Sequence, residues 1–418
     1  MKTLIESGIK WLGHIPASWE LGKIGGLYAL RTEKVSDKDY PPLSVTMKGI
    51  LPQLETAAKT NDGDNRKLVR KGDFAINSRS DRRGSCGISE YDGSVSLINL
   101  VLTPRRTMCP QYYNWLFHTI QFADEFYSWG HGIVSDLWST NWQEMKKITI
   151  PIPPLDEQRV IADYLDAQCA KIDDLLESLR QQLQQLQSYR ESTITEAVTR
   201  GLNPNVTLID SGKEWCPQIP AHWIPTNPKA LFTLRNQRAK EGERQLTASQ
   251  KLGIVYQDEF MESEGQKVVT VEKDFSILKH VEPNDFVISM RSFQGGLEYS
   301  ELSGSISSAY VMLIPNDAKV YPPFYKWFFK SSKYINAIQS TTNLVRDGQA
   351  MRYANFVKVP LFIIPMEEQI EIADYLNEKI AQIDSIIADK QNQVNILMAY
   401  RKSLIFEYVT GKKEVPAQ

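Results

Sequence analysis

The chain states most of its pattern twice, and this repetition constrains the fold more than any single motif. Residues 7–19, Ser-Gly-Ile-Lys-Trp-Leu-Gly-His-Ile-Pro-Ala-Ser-Trp, return as residues 211–223, Ser-Gly-Lys-Glu-Trp-Cys-Pro-Gln-Ile-Pro-Ala-His-Trp, with seven of thirteen positions identical. Asp73-Phe74-Ala75-Ile76 returns as Asp285-Phe286-Val287-Ile288, and Tyr113-Asn114-Trp115-Leu116-Phe117 as Tyr325-Lys326-Trp327-Phe328-Phe329. Residues 157–199 match 368–410 without a gap, at 19 of 43 positions. The offset stays between 204 and 212, about half of the 418 residues. Solenoid repeats have periods of up to about 50 residues, so the chain is a duplicated domain pair.

Each copy divides into a mixed region and a long helix. Within 1–154, short apolar runs (74–76, 95–102 and 148–152) are separated by Asn61-Asp62-Gly63, Gly72-Asp73 and Asp92-Gly93, which predicts antiparallel strands and loops. Residues 112–126 have helical spacing. The fold class is therefore α+β, repeated at 206–365. Between Asp156 and Arg200 there is no Gly or Pro, while Pro153-Pro154 precedes this stretch and Gly201 follows it. Its apolar residues Ile172, Leu176, Leu179, Leu183 and Leu186 alternate four and three apart, the seam of a coiled coil. The second copy supplies Ile383, Ile387, Val394 and Leu397 in the same register, with Lys390 at the position that corresponds to Leu179, and Arg190 and Arg401 next along. Connectivity requires the second helix to run back along the first, so the pair is antiparallel. Charge follows the same division: +3 over 1–154, −4 over 155–205, +2 over 206–365 and −3 over 366–418.

Catalytic motifs are absent. The five histidines show no metal-ligand spacing, and no P-loop, GxSxG or GxGxxG occurs. Cys86, Cys109, Cys169 and Cys216 are far apart with no CxxC, against a disulfide framework or zinc site. No stretch approaches the ~18 apolar residues of a membrane span, and Glu6 comes too early for a signal peptide. The expectation is a cytoplasmic chain that holds no metal and does not enter membranes.

Two further motifs carry a resemblance: Gly13-His14-Ile15-Pro16-Ala17-Ser18-Trp19-Glu20, and Ile150-Pro151-Ile152-Pro153-Pro154-Leu155-Asp156-Glu157-Gln158 leading into the helix. Together with the duplicated layout, they make the chain resemble the specificity subunit of a type I restriction-modification system. The second copy departs locally, with Ile224 after Trp223 and the prolines of 360–365 spread apart. The resemblance implies two pseudo-symmetric target recognition domains, at 1–154 and 206–365, joined by spacer helices at 155–205 and 366–418 that form a long antiparallel two-helix coiled coil. It also implies that each domain reads one half of a split site in double-stranded DNA. Catalysis is implied to belong to partners: two adenine-N6 methyltransferase subunits using S-adenosylmethionine, and motor-nuclease subunits. The chain itself would be no enzyme and bind no cofactor. Rival readings are a structural adaptor with a coiled-coil linker and a DNA-cleaving enzyme.

A net +3 is weak for a DNA binder, whose affinity rests largely on phosphate neutralisation, but cations cluster. Arg79, Ser80, Arg82 and Arg83 share a Gly/Ser-flanked loop, just after Lys67, Arg70 and Lys71; Arg291, Ser292 and Gln294 occupy the matching place. Arg pairs bidentately with guanine and Gln with adenine in the major groove. Asn343, Arg346 and Gln349 form a secondary candidate patch. Glu157-Gln158 and Glu368-Gln369, at the starts of acidic helices, are the expected docking points for the methyltransferase subunits. From Ile172 to Val198 the helix spans 27 residues, roughly 40 Å at ~1.5 Å per residue. That is near one turn of DNA, and predicts a non-contacted gap of roughly 6–8 base pairs between half-sites.

Overall fold

The computed structural model describes residues 2–53, 63–132, 138–250, 252–265, 270, 275–289, 292–341 and 351–416, except the side chain of Phe293. The described chain forms two compact units: Met1–Arg180 with Asn392–Gln418, and Gln181–Gln391. Each unit thus combines one mixed domain, the first part of the helix that follows it and the last part of the other long helix.

The first unit is built on a four-stranded antiparallel sheet in the order Cys86–Ile88, Phe74–Asn77, Asn99–Pro104, Tyr28–Leu30. Phe74, Ala75 and Ile76 are all buried, so this strand is covered on both faces and reads as a continuous apolar run. The apolar run 95–102 is interrupted at 96–98, which separates Gly93–Val95, a strand of another sheet, from Asn99–Pro104. The helical stretch 112–126 is two helices, Pro110–Phe117 and Ile120–Ser128. Thr119 makes the break, its Oγ1 accepting the Phe122 N–H at 3.2 Å as the cap of the second helix.

In the second unit, the sheet has the corresponding order Glu298–Tyr299, Phe286–Ile288, Val311–Pro315, Phe232–Leu234. The register matches too, with Phe74 opposite Leu102 in one unit and Phe286 opposite Leu313 in the other. Helices Pro322–Phe328 and Ser332–Ser340 repeat the broken pair.

The long helices run from Leu155 to Arg200 and from Met366 to Val409. In the first unit, Tyr408 Oη meets Tyr164 Oη at 3.2 Å, and Arg401 forks onto Asp173 at 2.9 and 3.1 Å. Residue numbers rise on one helix as they fall on the other, so the packing is antiparallel. In the second unit, Arg190 forks onto Asp384 at 2.7 and 3.3 Å, and Lys390 Nζ donates to Gln182 at 2.6 Å, again antiparallel. The anticipated seam is the inward stripe: Ile172, Leu176, Ile383 and Val394 are buried, and Leu179, Leu183, Leu186, Ile387 and Leu397 half-buried. Each helix stops at a left-handed glycine, Gly201 (φ 72°) and Gly411 (φ 68°). A Cβ on Gly411 would lie 2.5 Å from the Pro16 ring, so close approach as well as φ requires glycine at that stop.

Candidate nucleic-acid interface

The strand Phe74–Asn77 delivers the chain into the arginine loop, and a buried carboxylate anchors its start. Asp73 accepts Arg31 Nε at 2.7 Å and Nη2 at 3.0 Å, the Arg70 N–H at 2.8 Å and Thr103 Oγ1 at 3.2 Å. After the strand, Asn77 Oδ1 accepts the Arg79 N–H at 3.0 Å, the Ser80 N–H donates to Trp138 O at 3.0 Å, and Ser80–Arg82 form one 3₁₀ turn. Arg79, Arg82 and Arg83 are all exposed at this loop. Arg79 has no side-chain partner among the described residues, Arg82 lies 3.6 Å from the neighbouring Asp81, and Arg83 pairs with Asp124 and lies over the Tyr127 ring.

The preceding cations are held more firmly. Lys67, expected on the surface, is half-buried; its Nζ donates to Asn99 O at 2.7 Å, and burial pushes its pKa below the usual lysine range. It is an internal donor. Arg70 reaches Asp92 at 3.3 Å and the Tyr40 hydroxyl at 3.2 Å, and Lys71 pairs with Glu90 at 3.3 Å.

The second unit repeats the anchor and changes the loop. Asp285 accepts Arg235 Nε at 2.6 Å, Nη2 at 2.9 Å and the Glu282 N–H at 3.0 Å. Ser292, expected as a contact, is buried; its Oγ accepts the Ser289 N–H at 2.8 Å, which shapes the turn into the helix Ser292–Gly295. Gln294 is exposed and lies 3.4 Å from Gln250. Arg291, Asn343, Arg346 and Gln349 lie outside the described residues. Nearby, His280 is buried between Glu243 (Nδ1 to Oε1, 2.7 Å) and Glu282 (Nε2 to Oε1, 2.6 Å), and its hydrogen bond holds the Glu282 carboxyl below the usual range.

The two sequence signatures meet inside each unit. Trp19 Nε1 donates to Glu157 Oε2 at 3.0 Å, and Trp223 Nε1 to Glu368 Oε2 at 3.0 Å. Gln158 accepts the Cys109 N–H at 3.0 Å and donates to Pro153 O at 2.8 Å; Gln369 accepts the Tyr321 N–H at 2.8 Å and donates to Lys319 O and Ile364 O. Both glutamines are buried and their amides are used internally. The motif therefore ties the start of each helix to its own domain through its glutamines. Exposed apolar residues on the long helices, missed in the sequence, recur at the 211-residue offset: Leu175 with Ile386, and Tyr189 with Tyr400. Their position off the seam was the available signal.

Among the described residues no group of three or more His, Cys, Asp or Glu is placed to hold a metal, and no helix is long and apolar enough to cross a membrane. Residues 16–185 match the family model of the type I restriction modification DNA specificity domain. A curated protein of Methanocaldococcus jannaschii, named for a type I restriction enzyme MjaX specificity subunit, is 24% identical over 293 residues. That match covers 66% of this chain and 62% of the relative, less than two thirds of the relative's length. Among solved structures, one chain comes from a study of complex assembly and conformational transition of the type I R-M system. It has a TM-score of 0.70 at 13% identity, covering 96% of this chain and 99% of that one. The HsdS subunit from Thermoanaerobacter tengcongensis has a TM-score of 0.52 at 14% identity, covering 98% and 100%. The first half of the chain thus carries a type I specificity-domain match, the same anchors recur in the second half, and the chain as a whole is similar to type I restriction-modification specificity subunits.

Proposed function

We propose that the chain is the non-catalytic reader of its complex. Each unit binds one half of a bipartite site in double-stranded DNA, and the chain directs partner subunits to methylate adenine or to cut. The observation that carries this reading is the repeated Asp anchor, which ends in a different exposed loop in each copy: Arg79 to Arg83 in one, Gln294 in the other. A fixed framework with divergent tips is what two independent readers require, because base edges are read by side chains held in register. Arg79 and Arg82 are the leading candidates of the first loop, since Lys67 is internal and Arg83 is paired. Arg291 and the 343–349 patch remain part of this proposal.

The partners are two methyltransferase subunits, which supply S-adenosylmethionine chemistry, and motor-nuclease subunits, all in the cytoplasm. The outer helix positions Leu175 with Tyr400 and Ile386 with Tyr189 offer two equivalent docking faces in place of the Glu-Gln pairs. The stiff helices set a fixed gap of roughly 6–8 base pairs.

The test is to map methylated adenines in cells carrying the chain and its methyltransferase partner. Exchanging 1–154 for that of a relative should alter one half-site and leave the other half and the gap unchanged. Alteration of both halves would overturn the two-reader assignment.

A further inference from the structure

The first unit holds a cleft of about 890 Å³ between its mixed domain and the end of the second long helix. Its walls include Ile50, Ile88, Trp115, Ala123 and Ile405, and Met47, 72% exposed, stands at its mouth with Tyr91 and Ile120. The corresponding positions of the second unit carry different residues. Strand register places Gly87 opposite Ala75 and Glu298 opposite Val287, so Gly87 corresponds to Glu298. The ungapped helix match makes His118 correspond to Lys330. There Lys330, half-buried, donates Nζ to the buried Glu298 at 2.6 Å and to Gly295 O at 2.9 Å. In the first unit no such pair forms: Gly87 packs directly against the Gly49–Ile50 backbone, and His118 turns back onto Asn114 O at 2.7 Å.

Charge around the cleft is unbalanced. Both lining carboxylates are taken, Glu90 by Lys71 and Asp124 by Arg83, and Arg401 is taken by Asp173. Lys48 and Lys402 remain exposed with no partner among the described residues. Asn114, on the wall, keeps its buried Oδ1 without a hydrogen-bond partner among the described residues. At the position of Lys402 the second copy carries Glu191, so the basic rim is not repeated there.

We infer that this cleft seats an acidic amphipathic segment of a protein partner, once per chain. An aliphatic or aromatic side chain fills the apolar floor, carboxylates face Lys48 and Lys402, and a donor reaches Asn114. A concave apolar floor favours a protein segment over a phosphate backbone, which needs an outward cationic surface. The inference does not depend on which bases the loops read.

The experiment uses the tagged full chain in its purified complex, with p-benzoylphenylalanine replacing Met47. The same probe replaces the exposed Leu252 of the second unit. Illumination followed by mass spectrometry should join the Met47 probe to an Asp/Glu-rich, apolar-spaced peptide of a partner protein. The Leu252 probe should not reach that peptide. The double variant K48E/K402E should lower the cross-link yield by at least about tenfold, since like charges face each other at the rim, while its circular dichroism and melting temperature stay unchanged. The inference is overturned by no cross-link, or by one to DNA, to the chain itself or to a peptide without acids. Equal capture of the acidic peptide by both probes, or insensitivity to K48E/K402E, overturns it as well.

Discussion

Superposing the two halves in sequence separates what duplication kept from what it released. The kept set consists of pairs that join distant segments: Arg31 with Asp73 and Arg235 with Asp285, Trp19 with Glu157 and Trp223 with Glu368, Trp115 with Asp166 and Trp327 with Asn377. Each bond has the same length in both copies to within 0.1 Å, although the flanking residues differ. The released set lies at loop tips and over the sheet face, where Gly87 and His118 in one unit become Glu298 and Lys330 in the other. Framework positions lose stability when changed, because an unpaired buried group keeps its full desolvation penalty. Surface tips carry no such penalty and are free to diverge.

The sharpest way to break this comparison is to cut the anchors. Asp73→Ala leaves the Arg31 guanidinium facing a pocket without its carboxylate, and Asp285→Ala does the same to Arg235; both carboxylates are buried. Each substitution should destabilise its own unit by about 3 kcal/mol. Hydrogen exchange resolved by segment should show protection lost in one unit and kept in the other. Equal loss in both would mean that the units do not unfold separately.

Next in size are the buried glutamines. Gln158→Ala strands the Cys109 N–H and Pro153 O, and Gln369→Ala strands the Tyr321 N–H with two carbonyls. Denaturant titration should show about 1–3 kcal/mol lost in each case. Binding of the methyltransferase partner to the folded protein should be unchanged, which separates an internal tie from a docking point.

The loop tips should behave in the opposite way. Arg79→Ala should leave stability unchanged and weaken binding to the cognate duplex by about 1–3 kcal/mol if it reads a base. Gln294→Ala should affect the other half-site alone. Competition titrations with duplexes altered in one half-site check both.

The smallest effect is one of pH and belongs to the second unit, because Leu68 occupies the first-unit position of His280. The Glu282 carboxyl is held below its ordinary 4.5 by His280. A depressed carboxyl contributes stability above its unfolded pKa and loses it as pH falls through the folded value. The stability difference between wild type and Glu282→Gln should therefore be present above about pH 4.5 and vanish in stronger acid. A difference that does not change with pH would detach Glu282 from the His280 cluster.

Much of the fold was legible because it rests on periodicity. The seam from Ile172 to Leu186, the Gly201 stop and the antiparallel course of the helices follow from spacing and connectivity, and the structure bears them out. Helix breaks were less legible. Residues 112–126 keep an apolar stripe across the break, and only the Thr119 hydroxyl, capping the next turn, divides them.

At the candidate site, sequence located the loops but could not assign the charges. Lys67 and Arg79 are both cations near a turn. One lies in a strand whose side chain turns inward to a carbonyl; the other follows the strand end and stays in solvent. The same limit applied to the Glu-Gln motifs, whose polarity suggested a surface. Burial of Gln158 and Gln369 depends on backbone groups far away in sequence, which only the folded chain brings within 3.0 Å. The duplication, the class and the helices were thus determined by the sequence alone, since they are local or periodic properties. Which polar groups are consumed inside, and that one half pairs Glu298 with Lys330 where the other has Gly87 and His118 beside a cleft, was decided by tertiary structure, because pairing over long sequence distances has no local signature.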